Sequence, residues 1–176
     1  GTTGTRCVEV SPEEKKEIYN YSLSEEEKSE IMLAFENLIA KYNVQTMTTK
    51  EDQLQDRGSQ ITLSAIGRNA SLELKRLYDP DGTKRREWVV YLKTLLDQNK
   101  YEIRYAGTTS VDVTRKGLDK GWGIKKFANH YNINLQEILF FGDKTDPEGN
   151  DYPATLVVDY VTVNSPDDTL EELRKL

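Results

Sequence analysis

The sequence predicts an α+β fold followed by a shorter α/β segment, and three patterns support this prediction. Apolar residues alternate with polar ones at Ile61, Leu63 and Ala65, as in half-buried antiparallel strands. Two long stretches carry apolar residues at helical spacing, so two helices can cover one face of that sheet. The short continuous apolar run at 138–141 is instead typical of a parallel strand covered on both faces.

Two amphipathic helices are predicted before the apolar run. Ser24 begins the pattern Ser-Glu-Glu-Glu of a capping box, and apolar residues follow at helical spacing, so the first helix is predicted from about Glu25 to Tyr42. The second helix carries a stripe of aromatic and leucine residues between Trp88 and Leu96. It follows Asp79-Pro80-Asp81-Gly82-Thr83, a sequence that favours a tight turn. We expect the aromatic side chains to belong to the core.

The glycines between Gly117 and Gly123 indicate the passage from the first predicted unit to the second. Strands and helices are expected on both sides of this passage. The remaining predicted elements are, in order, strands around Ile103–Tyr105 and Val111–Val113, a helix at Lys125–Tyr131, strands at Ile138–Phe141 and Tyr160–Val163, and a last helix with Ser165 as N-cap and Pro166 at its first position.

Composition excludes several classes of protein. The 176 residues carry a formal net charge of −6, which argues against general binding to nucleic acid, since such proteins present a basic face. No apolar run approaches the roughly 20 residues of a membrane span. Cys7 has no second cysteine to pair with, so a cytoplasmic protein is the simpler expectation. His130 is the only histidine, which leaves His-rich zinc sites and Ser-His-Asp arrangements without the residues they need, and we expect it at the surface or in packing.

Asp143 directly follows the apolar run, and an acidic loop with glycine and proline comes next. In open α/β sheets, ligands bind at the carboxyl ends of such strands. Mg²⁺ prefers oxygen ligands and usually takes one or two protein carboxylates, while water and substrate phosphate complete its shell. Asp143 and Asp151 are therefore the candidate magnesium ligands. The alternative is that this loop is an ordinary solvated turn.

Four motifs in order give the chain a resemblance to a known family. They are Ser110-Val111-Asp112-Val113, Gly117-Leu118-Asp119-Lys120, Phe140-Phe141-Gly142-Asp143-Lys144-Thr145 and Gly149-Asn150-Asp151, and the upstream stretch Leu63-Ser64-Ala65-Ile66-Gly67-Arg68 also matches. On these residues the chain resembles the haloacid-dehalogenase superfamily of phosphotransferases, and within it the eukaryotic-type phosphomannomutases. The resemblance implies an α+β cap domain of type IIB, an antiparallel sheet with two helices, over residues 1–114. Residues 115–176 are then expected to be the C-terminal part of an α/β Rossmann-like core.

One element of that family has no match in the sequence. The family begins with Asp-x-Asp-Gly-Thr on its first strand, where the first Asp is the phosphorylated nucleophile and the second is the general acid/base. Asp79-Pro80-Asp81-Gly82-Thr83 imitates this motif by letters, but no buried apolar strand precedes it, so we interpret it as a turn. Gly1-Thr2-Thr3-Gly4-Thr5 aligns with family residues beyond the phosphate-binding loop. We therefore expect the chain to be the later part of a longer protein, with the nucleophile segment outside it.

The resemblance also implies roles for individual residues. Planar guanidinium groups in the cap suit bidentate contacts with phosphate, although spacing alone would place Arg57 and Arg68 on opposite faces of one strand. At the family's third arginine position the chain has Lys75, which lacks the fork geometry, with Arg76 beside it. For Arg57, Arg68 and Lys75 the alternative is a solvated surface cation. For Lys120 it is an ordinary salt bridge with Asp119. The implied set is Arg57, Arg68 and Lys75 for substrate phosphate, Ser110 and Asp112 for the sugar, Lys120 for charge neutralisation in catalysis, and Asp143 and Asp151 for Mg²⁺.

The function implied for the complete protein is magnesium-dependent transfer of phosphate within a hexose phosphate, through an aspartyl-phosphate on a segment outside this chain. A sugar phosphatase of the same superfamily is one alternative, which the lysine at position 75 favours, and a non-catalytic binding fragment is another. The implied partner is the hexose phosphate, without nucleic acid or membrane. A homodimer through the cap is also implied, with Trp88, Tyr91 and Leu95 as candidates for its interface, and sedimentation equilibrium tests it against a monomer.

Overall fold

The structure, a computed structural model, describes residues 4–147 and 149–176. The alignment proposed for Gly1, Thr2 and Thr3 and the acidic side chain of Glu148 lie outside these residues. The strands are β1 (Arg6–Val10), β2 (Lys15–Asn20), β3 (Leu54–Asp56), β4 (Gln60–Ser64), β5 (Tyr101–Ala106), β6 (Ser110–Arg115), β7 (Leu139–Gly142) and β8 (Asp159–Thr162). The helices are α1 (Glu25–Tyr42), α2 (Lys50–Gln53), α3 (Leu72–Tyr78), α4 (Thr83–Leu95), α5 (Lys120–Tyr131), α6 (Tyr152–Thr155) and α7 (Pro166–Leu173).

The largest sheet is antiparallel, in the order β3-β4-β6-β5. Its apolar face packs against α1 and α4, the two predicted amphipathic helices. The core includes Phe35 of α1, Leu92 of α4 and Leu63 of β4, whose side chains are fully buried. Burial of each such side chain contributes roughly 1.5–3 kcal/mol. The predicted antiparallel sheet with two helices on one face is confirmed, and so are the predicted limits of α1.

The expectation of half-buried strands is wrong for β4. All five of its residues are buried, including the polar Gln60, Thr62 and Ser64. The alternating pattern correctly separates a polar face from an apolar face, but it does not reveal whether water reaches the polar one. Here the polar side chains bond to one another, and Gln60 Nε2 donates to Thr62 Oγ1 at 2.8 Å. A buried polar sheet face therefore lies on the side away from α1 and α4.

The second part of the chain contains the parallel pair β7 and β8, in which Gly142 pairs with Thr162. α6 connects these strands, α7 follows β8, and Ser165 caps α7 as predicted. The prediction that the first of these strands is covered on both faces is wrong, because residues 139–141 are half-buried. Within the described residues β7 pairs with β8 alone, and Phe140 lines two open cavities, so its side chain is only partly covered.

The helix predicted at 125–131 begins earlier, at Lys120, so the glycine-rich passage to the second unit is partly helical. Asp119 is its N-cap and accepts from the Trp122 backbone N–H at 2.8 Å, whereas Lys120 pairs with Asp151 and not with Asp119, the partner in the alternative interpretation. Gly121 lies within the helix, and the position requires glycine because a Cβ there would lie 2.3 Å from the Pro153 carbonyl oxygen of α6. This glycine therefore permits close packing of α5 on α6 and does not mark a loop.

The hairpin of β1 and β2 has no counterpart among the predicted elements. Its strands are short and mostly exposed, so their apolar alternation is weak. Tyr19 and Tyr21 pack edge-on against Trp122 of α5, with 6.0 and 5.0 Å between ring centroids, and these contacts hold the hairpin beside α5. The domain boundary at residue 114 stays a prediction. Throughout the described ranges, no helix combines the length and the apolar character needed to cross a membrane.

The aromatic stripe of α4 contributes to the core, as predicted. Trp88 is 3% exposed and packs beside Tyr42 and Tyr78. Val90 and Leu95 on the same helix are exposed. Because its surface is used within one chain, Trp88 is not available for the predicted dimer contact. The homodimer through the cap stays a prediction, and it now depends on exposed residues such as Val90 and Leu95.

Glu27 and Arg115 join the start of α1 to the end of β6. Arg115 Nε lies 2.9 Å from Glu27 Oε1, and Glu27 also closes the capping box with Ser24. The hydrogen bond from the Arg115 guanidinium, assisted by the Ser24 backbone N–H, lowers the pKa of Glu27 to about 2 although the residue is buried. The ionised carboxylate is therefore the form that stabilises the fold.

We expect this pair to make the protein less stable in acid. An ordinary pKa of 4.5 means that the unfolded chain takes up a proton at pH values where native Glu27 is still ionised. The contribution, about 2 kcal/mol after discounting for the partly exposed Arg115, is present above pH 4.5 and is lost as pH falls toward about 2. Thermal melts of Glu27→Gln should show a lower Tm than the parent at neutral pH, and a smaller difference near pH 3. An equal difference at both pH values would contradict this linkage.

Candidate functional site

A cleft of about 580 Å³ opens at the carboxyl ends of β7 and β8. The loop after β7 contributes Asp143, the first turn of α5 contributes Lys120, and the N-terminal end of α7 contributes Ser165. Parallel strands present loops and helix ends at this edge, which explains why the Gly-Asp ending of β7 lies here. The cleft brings together three of the predicted site residues, Lys120, Asp143 and Asp151.

Asp151 is the buried member of this group, and its side chain is 3% exposed. Its Oδ1 forms an ion pair with Lys120 Nζ, and its Oδ2 accepts from the backbone N–H groups of Asp143 and Lys144 at 3.1 and 3.0 Å. Gly142 makes room for the carboxylate, because a Cβ there would lie 2.8 Å from Oδ2. A buried carboxylate requires such partners. Asp151 thus holds Lys120 in place, and its predicted role as a metal ligand stays a prediction.

Asp143 differs from Asp151 because its side chain is 60% exposed. Lys144 Nζ lies 3.8 Å from its Oδ2. Among the residues that the structure describes, no group of three or more Asp, Glu, His or Cys side chains forms a ready-made metal cage. The cleft lining offers carboxylate and hydroxyl oxygens without imidazole or thiolate, and one such carboxylate suits a hard cation that keeps water and phosphate in its shell. The residues therefore fit Mg²⁺ at Asp143.

The buried polar face of the antiparallel sheet holds Asp112, which is 8% exposed. Thr62 lies opposite it in the register of β4 and β6 and donates from Oγ1 to Asp112 Oδ1 at 2.8 Å. Burial raises the pKa of Asp112, while the Thr62 hydroxyl and the charges of Arg57 and Lys120 partly oppose this rise. Both cations are close enough to act on the carboxylate. The charges of one arginine near the sheet and of the lysine of α5 therefore both favour the ionised form of Asp112.

Ser110 lies two positions before Asp112 in β6, on the same sheet face, as the period of a strand predicts. It is half-buried and pairs with Ser64 of β4 and Ala106 of β5. A hydroxyl and a carboxylate on one face can accept from neighbouring sugar hydroxyls. The structure has this geometry, and sugar binding by these two residues stays a prediction.

Arg57 and Arg68 line one cleft of about 630 Å³, although strand spacing alone would separate them. Neither residue belongs to β4, because Arg57 precedes the strand in a turn and Arg68 follows it in a loop. Arg57 donates to Gln55 Oε1 at 2.9 Å. Arg6 of β1 lines the same cleft, and its Nε donates to Glu17 at 2.7 Å. Three guanidinium groups around one opening are a donor set that suits phosphate.

Lys75 lines a different cleft from these arginines. Its Nζ donates to the Arg68 backbone carbonyl, so it supports the loop that carries Arg68. Lys75 and Arg76 both border the cleft beside the buried ion pair of Asp79 and Arg85. The positions of Lys75 and Arg76 therefore give no support to a direct contact with the phosphate in the arginine cleft.

The segment that imitates the nucleophile motif is a turn, as predicted. The Gly82 N–H donates to the Asp79 carbonyl at 3.2 Å, and Asp81 accepts from the Thr83 N–H and hydroxyl at 3.0 and 2.8 Å. Asp79 is buried in its ion pair with Arg85 at the start of α4. Both carboxylates thus serve local structure.

Arg6 and Thr62 are the site residues that the sequence patterns miss. Arg6 belongs to a hairpin without a clear strand signal, and its approach to Arg57 depends on how that hairpin packs. Thr62 did carry a usable signal, because it alternates with Ile61 and Leu63 and so belongs to the polar face. That pattern could have placed Thr62 beside the candidate sugar-binding strand.

Comparison with known proteins identifies the family. The family model of eukaryotic phosphomannomutase matches residues 8–176. The phosphomannomutase of Oryza sativa subsp. indica is 34% identical over 129 residues, which cover 70% of this chain and 50% of the rice protein. The phosphomannomutase of Saccharomyces cerevisiae is 36% identical over 130 residues, which cover 70% of this chain and 49% of the yeast protein. The chain thus spans about half the length of the curated relatives it matches.

Solved structures support the fold. N-terminally truncated IMP-nucleotidase of Plasmodium falciparum matches with a TM-score of 0.64 at 16% identity, over 97% of this chain and 47% of that one. A HAD/COF-like hydrolase candidate of Plasmodium vivax matches with a TM-score of 0.52 at 15% identity, over 92% of this chain and 64% of that one. At such low identity these matches show a haloacid-dehalogenase-like fold alone. The sequence matches show that the chain belongs to the eukaryotic phosphomannomutase family.

Proposed function

We propose that this chain supplies the cap, over residues 1–114, and the C-terminal part of the core, over residues 115–176, of a magnesium-dependent hexose-phosphate mutase acting on mannose phosphate. The observation that carries the proposal is the arrangement of Lys120, Asp143 and Asp151 at the carboxyl ends of β7 and β8. Buried Asp151 fixes Lys120 in the cleft that also holds exposed Asp143, so a cation and a candidate metal ligand line the same cleft. A transferring phosphoryl group requires that combination.

The phosphorylated carboxylate is proposed to lie on a strand outside these 176 residues, along the open edge of β7. One support is that β7, in the part of the chain described, pairs with β8 alone. A second is an apolar cavity of about 340 Å³ lined by Cys7, Phe127, Ile138 and Phe140, with Lys120 at its border. A further strand in this position would cover those side chains and bring its carboxylate beside Lys120.

Lys120 has a defined task in this mechanism. Its ammonium group neutralises the phosphoryl oxygens and so reduces their repulsion from the attacking carboxylate. Asp151 keeps this lysine in place, because backbone N–H groups fix the second oxygen of the Asp151 carboxylate. When it is bound at Asp143, Mg²⁺ supplies further neutralisation of phosphoryl charge.

The cap has a different task. Glu51 and Asp56 also line the arginine cleft. Asp56 is paired with Lys28 at 3.0 Å and Arg6 with Glu17 at 2.7 Å, so Arg57 and Arg68 outnumber Glu51 among the remaining charges. A mutase passes through a bisphosphorylated intermediate. It therefore requires a second phosphate-binding site, away from the phosphoryl group that is transferred. We assign Arg6, Arg57 and Arg68 to the phosphate that is not transferred, and Ser110 and Asp112 to sugar hydroxyls.

A sugar phosphatase is the second candidate, and the lysine at position 75 favours it. Product analysis of the full-length protein with mannose 1-phosphate or glucose 1-phosphate and Mg²⁺ separates the two. The 6-phosphate of the same hexose as the main product indicates the mutase, and inorganic phosphate without isomerisation indicates the phosphatase. If neither product forms with either substrate, a non-catalytic binding role replaces both proposals.

We expect replacement of cleft arginines in the full-length protein to weaken substrate binding and to leave Mg²⁺ affinity unchanged. Arg68→Ala and Arg6→Ala should each raise KM for mannose 1-phosphate about tenfold or more, because a charge-assisted contact contributes roughly 1.5–3 kcal/mol. Lys75→Ala is the matched control. Its ammonium group faces a backbone carbonyl, so steady-state kinetics should show a smaller rise in KM. A larger effect for Lys75→Ala than for Arg6→Ala would show that the cleft is wrongly assigned.

Three further features stay proposals. A homodimer through the cap follows from the family resemblance and from the exposed Val90 and Leu95 of α4. Sedimentation equilibrium at micromolar concentration decides between this dimer and a monomer. A cytoplasmic location and the absence of nucleic-acid partners follow from composition and charge.

A further inference from the structure

The loop after β7 contacts both faces of strand β5. Arg104 Nη1 donates to the backbone carbonyls of Pro147 and Gly149, each at 3.4 Å, and Tyr105 Oη donates to Asp146 Oδ1 at 3.1 Å. Adjacent residues of a strand point to opposite faces of its sheet. The loop therefore reaches around the edge of β5, which is the outer strand of the antiparallel sheet.

The same loop carries the two carboxylates of the core site, Asp143 and Asp151. It is closed on itself, since the Asp151 N–H donates to the Lys144 carbonyl at 3.0 Å and the Gly149 N–H donates to the Asp146 carbonyl at 2.8 Å. Gly149 leaves no space for a side chain, because a Cβ there would lie 2.2 Å from the Lys144 carbonyl oxygen. A displacement of the loop at Asp146 therefore also moves the backbone next to Asp151.

Arg104 depends on the loop for hydrogen-bond acceptors. Its side chain is 24% exposed, and its Nη2 lies 3.4 Å from Glu102 Oε1. Its Nε is buried without a hydrogen-bond partner among the described residues. A guanidinium group that is largely removed from water requires hydrogen-bond acceptors from the protein to stabilise it. The carbonyls of Pro147 and Gly149 therefore stabilise Arg104 when the loop lies against β5, and Arg104 in turn holds the loop.

Tyr105 is anchored on the other face of the sheet. The Arg85 guanidinium carbon lies 5.3 Å from the centre of its ring. Arg85 is fixed by Asp79, whose Oδ2 lies 2.7 Å from Arg85 Nε, and both side chains are buried. The buried ion pair of Asp79 and Arg85 therefore holds the Tyr105 ring in position, and with it the hydroxyl that donates to Asp146.

We propose that Arg104 and Tyr105 are positioning residues that fasten the core loop to the cap sheet. They thereby set the place of Asp143 and Asp151 relative to the sheet face that holds Ser110 and Asp112. The part of this proposal that concerns Mg²⁺ rests on the proposed function, whereas the fastening of the loop does not. The cap thus has a second task besides binding substrate, because it also orders the metal-binding loop.

Amide hydrogen exchange in the full-length protein tests the fastening without reference to activity. Arg104→Gln removes the guanidinium group and Tyr105→Phe removes only a hydroxyl, and we expect the amides of Gly149 and Asp151 to exchange about tenfold faster in each variant. Arg104→Lys should restore part of the protection, since an ammonium group can still donate to one carbonyl. Two controls are Arg174→Gln, at the exposed end of α7, and Tyr91→Phe, whose ring packs on Tyr42. The loop amides of both variants should exchange like those of the parent.

Affinity for Mn²⁺, a paramagnetic substitute for Mg²⁺, is the second measurement. Arg104→Gln should weaken Mn²⁺ binding about tenfold, as is typical when a group that orients a metal ligand is removed. Unchanged exchange in Arg104→Gln and Tyr105→Phe overturns the fastening, and faster exchange with unchanged Mn²⁺ affinity overturns the positioning role. A parent protein that binds no Mn²⁺ and turns over no hexose phosphate refutes the proposed function instead, and the exchange rates still decide whether the loop is fastened.

Discussion

A polypeptide of these 176 residues alone is expected to neither isomerise nor dephosphorylate a hexose phosphate above the uncatalysed background. In a covalent mechanism, loss of the nucleophile removes the reaction path and not merely a binding contact. In the proposed mechanism, Lys120 and Asp143 stabilise the phosphoryl group, and the carboxylate that accepts it lies on another segment. The expected loss relative to the full-length protein is more than about a millionfold, which is the lower end of enzymatic accelerations.

Phosphorus NMR of mannose 1-phosphate with Mg²⁺ and the purified chain measures this loss, with the full-length protein as positive control. Asp81→Asn is the informative variant, because Asp81 belongs to the segment that imitates the nucleophile motif. Metal-dependent turnover by the pure chain that disappears in Asp81→Asn would show that this segment is catalytic. Such a result would contradict both its interpretation as a turn and the placement of the nucleophile on another strand.

Replacement of Asp143 by asparagine in the full-length protein is expected to reduce magnesium-dependent activity by about a thousandfold or more. The change removes the charge of the proposed ligand with almost no change in volume, so the cap should remain folded. Asp167→Asn is the matched control, since it makes the same chemical change at an exposed position in the first turn of α7.

Calorimetry with Mg²⁺ and circular dichroism accompany the kinetics of these two variants. Asp143→Asn should lose Mg²⁺ affinity and keep the spectrum of the parent, and Asp167→Asn should keep both. Unchanged Mg²⁺ affinity together with full activity in Asp143→Asn would show that the metal is bound elsewhere. Loss of the folded spectrum would instead assign Asp143 a structural role.

The helices and strands could be predicted where two local signals agree. The limits of α1 follow from the capping box at Ser24 together with the apolar stripe behind it. The start of α5 could not be predicted, because Gly121 resembles a loop residue until its contact with Pro153 is known. The hairpin of β1 and β2 is held by the packing of Tyr21 on Trp122, a contact that leaves no periodic pattern in the sequence.

The proximity of the candidate residues at the ends of β7 and β8 was easier to predict than the arginine cleft, for a related reason. Asp143 and Asp151 belong to one loop at the end of a strand, so local sequence and sheet topology place them near each other. The arginine cleft draws Arg6 from a hairpin that had no strand signal. Lys75, which has the right charge for phosphate, donates instead to the Arg68 carbonyl, an outcome that depends on the shape of a loop.

The proposed mechanism is tested most directly by trapping the phosphorylated protein. The full-length protein is mixed with a radiolabelled hexose bisphosphate and Mg²⁺, quenched in acid and mapped by mass spectrometry. We predict a label that hydroxylamine releases, as from an acyl phosphate, on an aspartate outside these 176 residues, and much less label in Asp143→Asn. A label on a residue within this chain, or isomerisation of the sugar phosphate without any label on the protein, would contradict the mechanism.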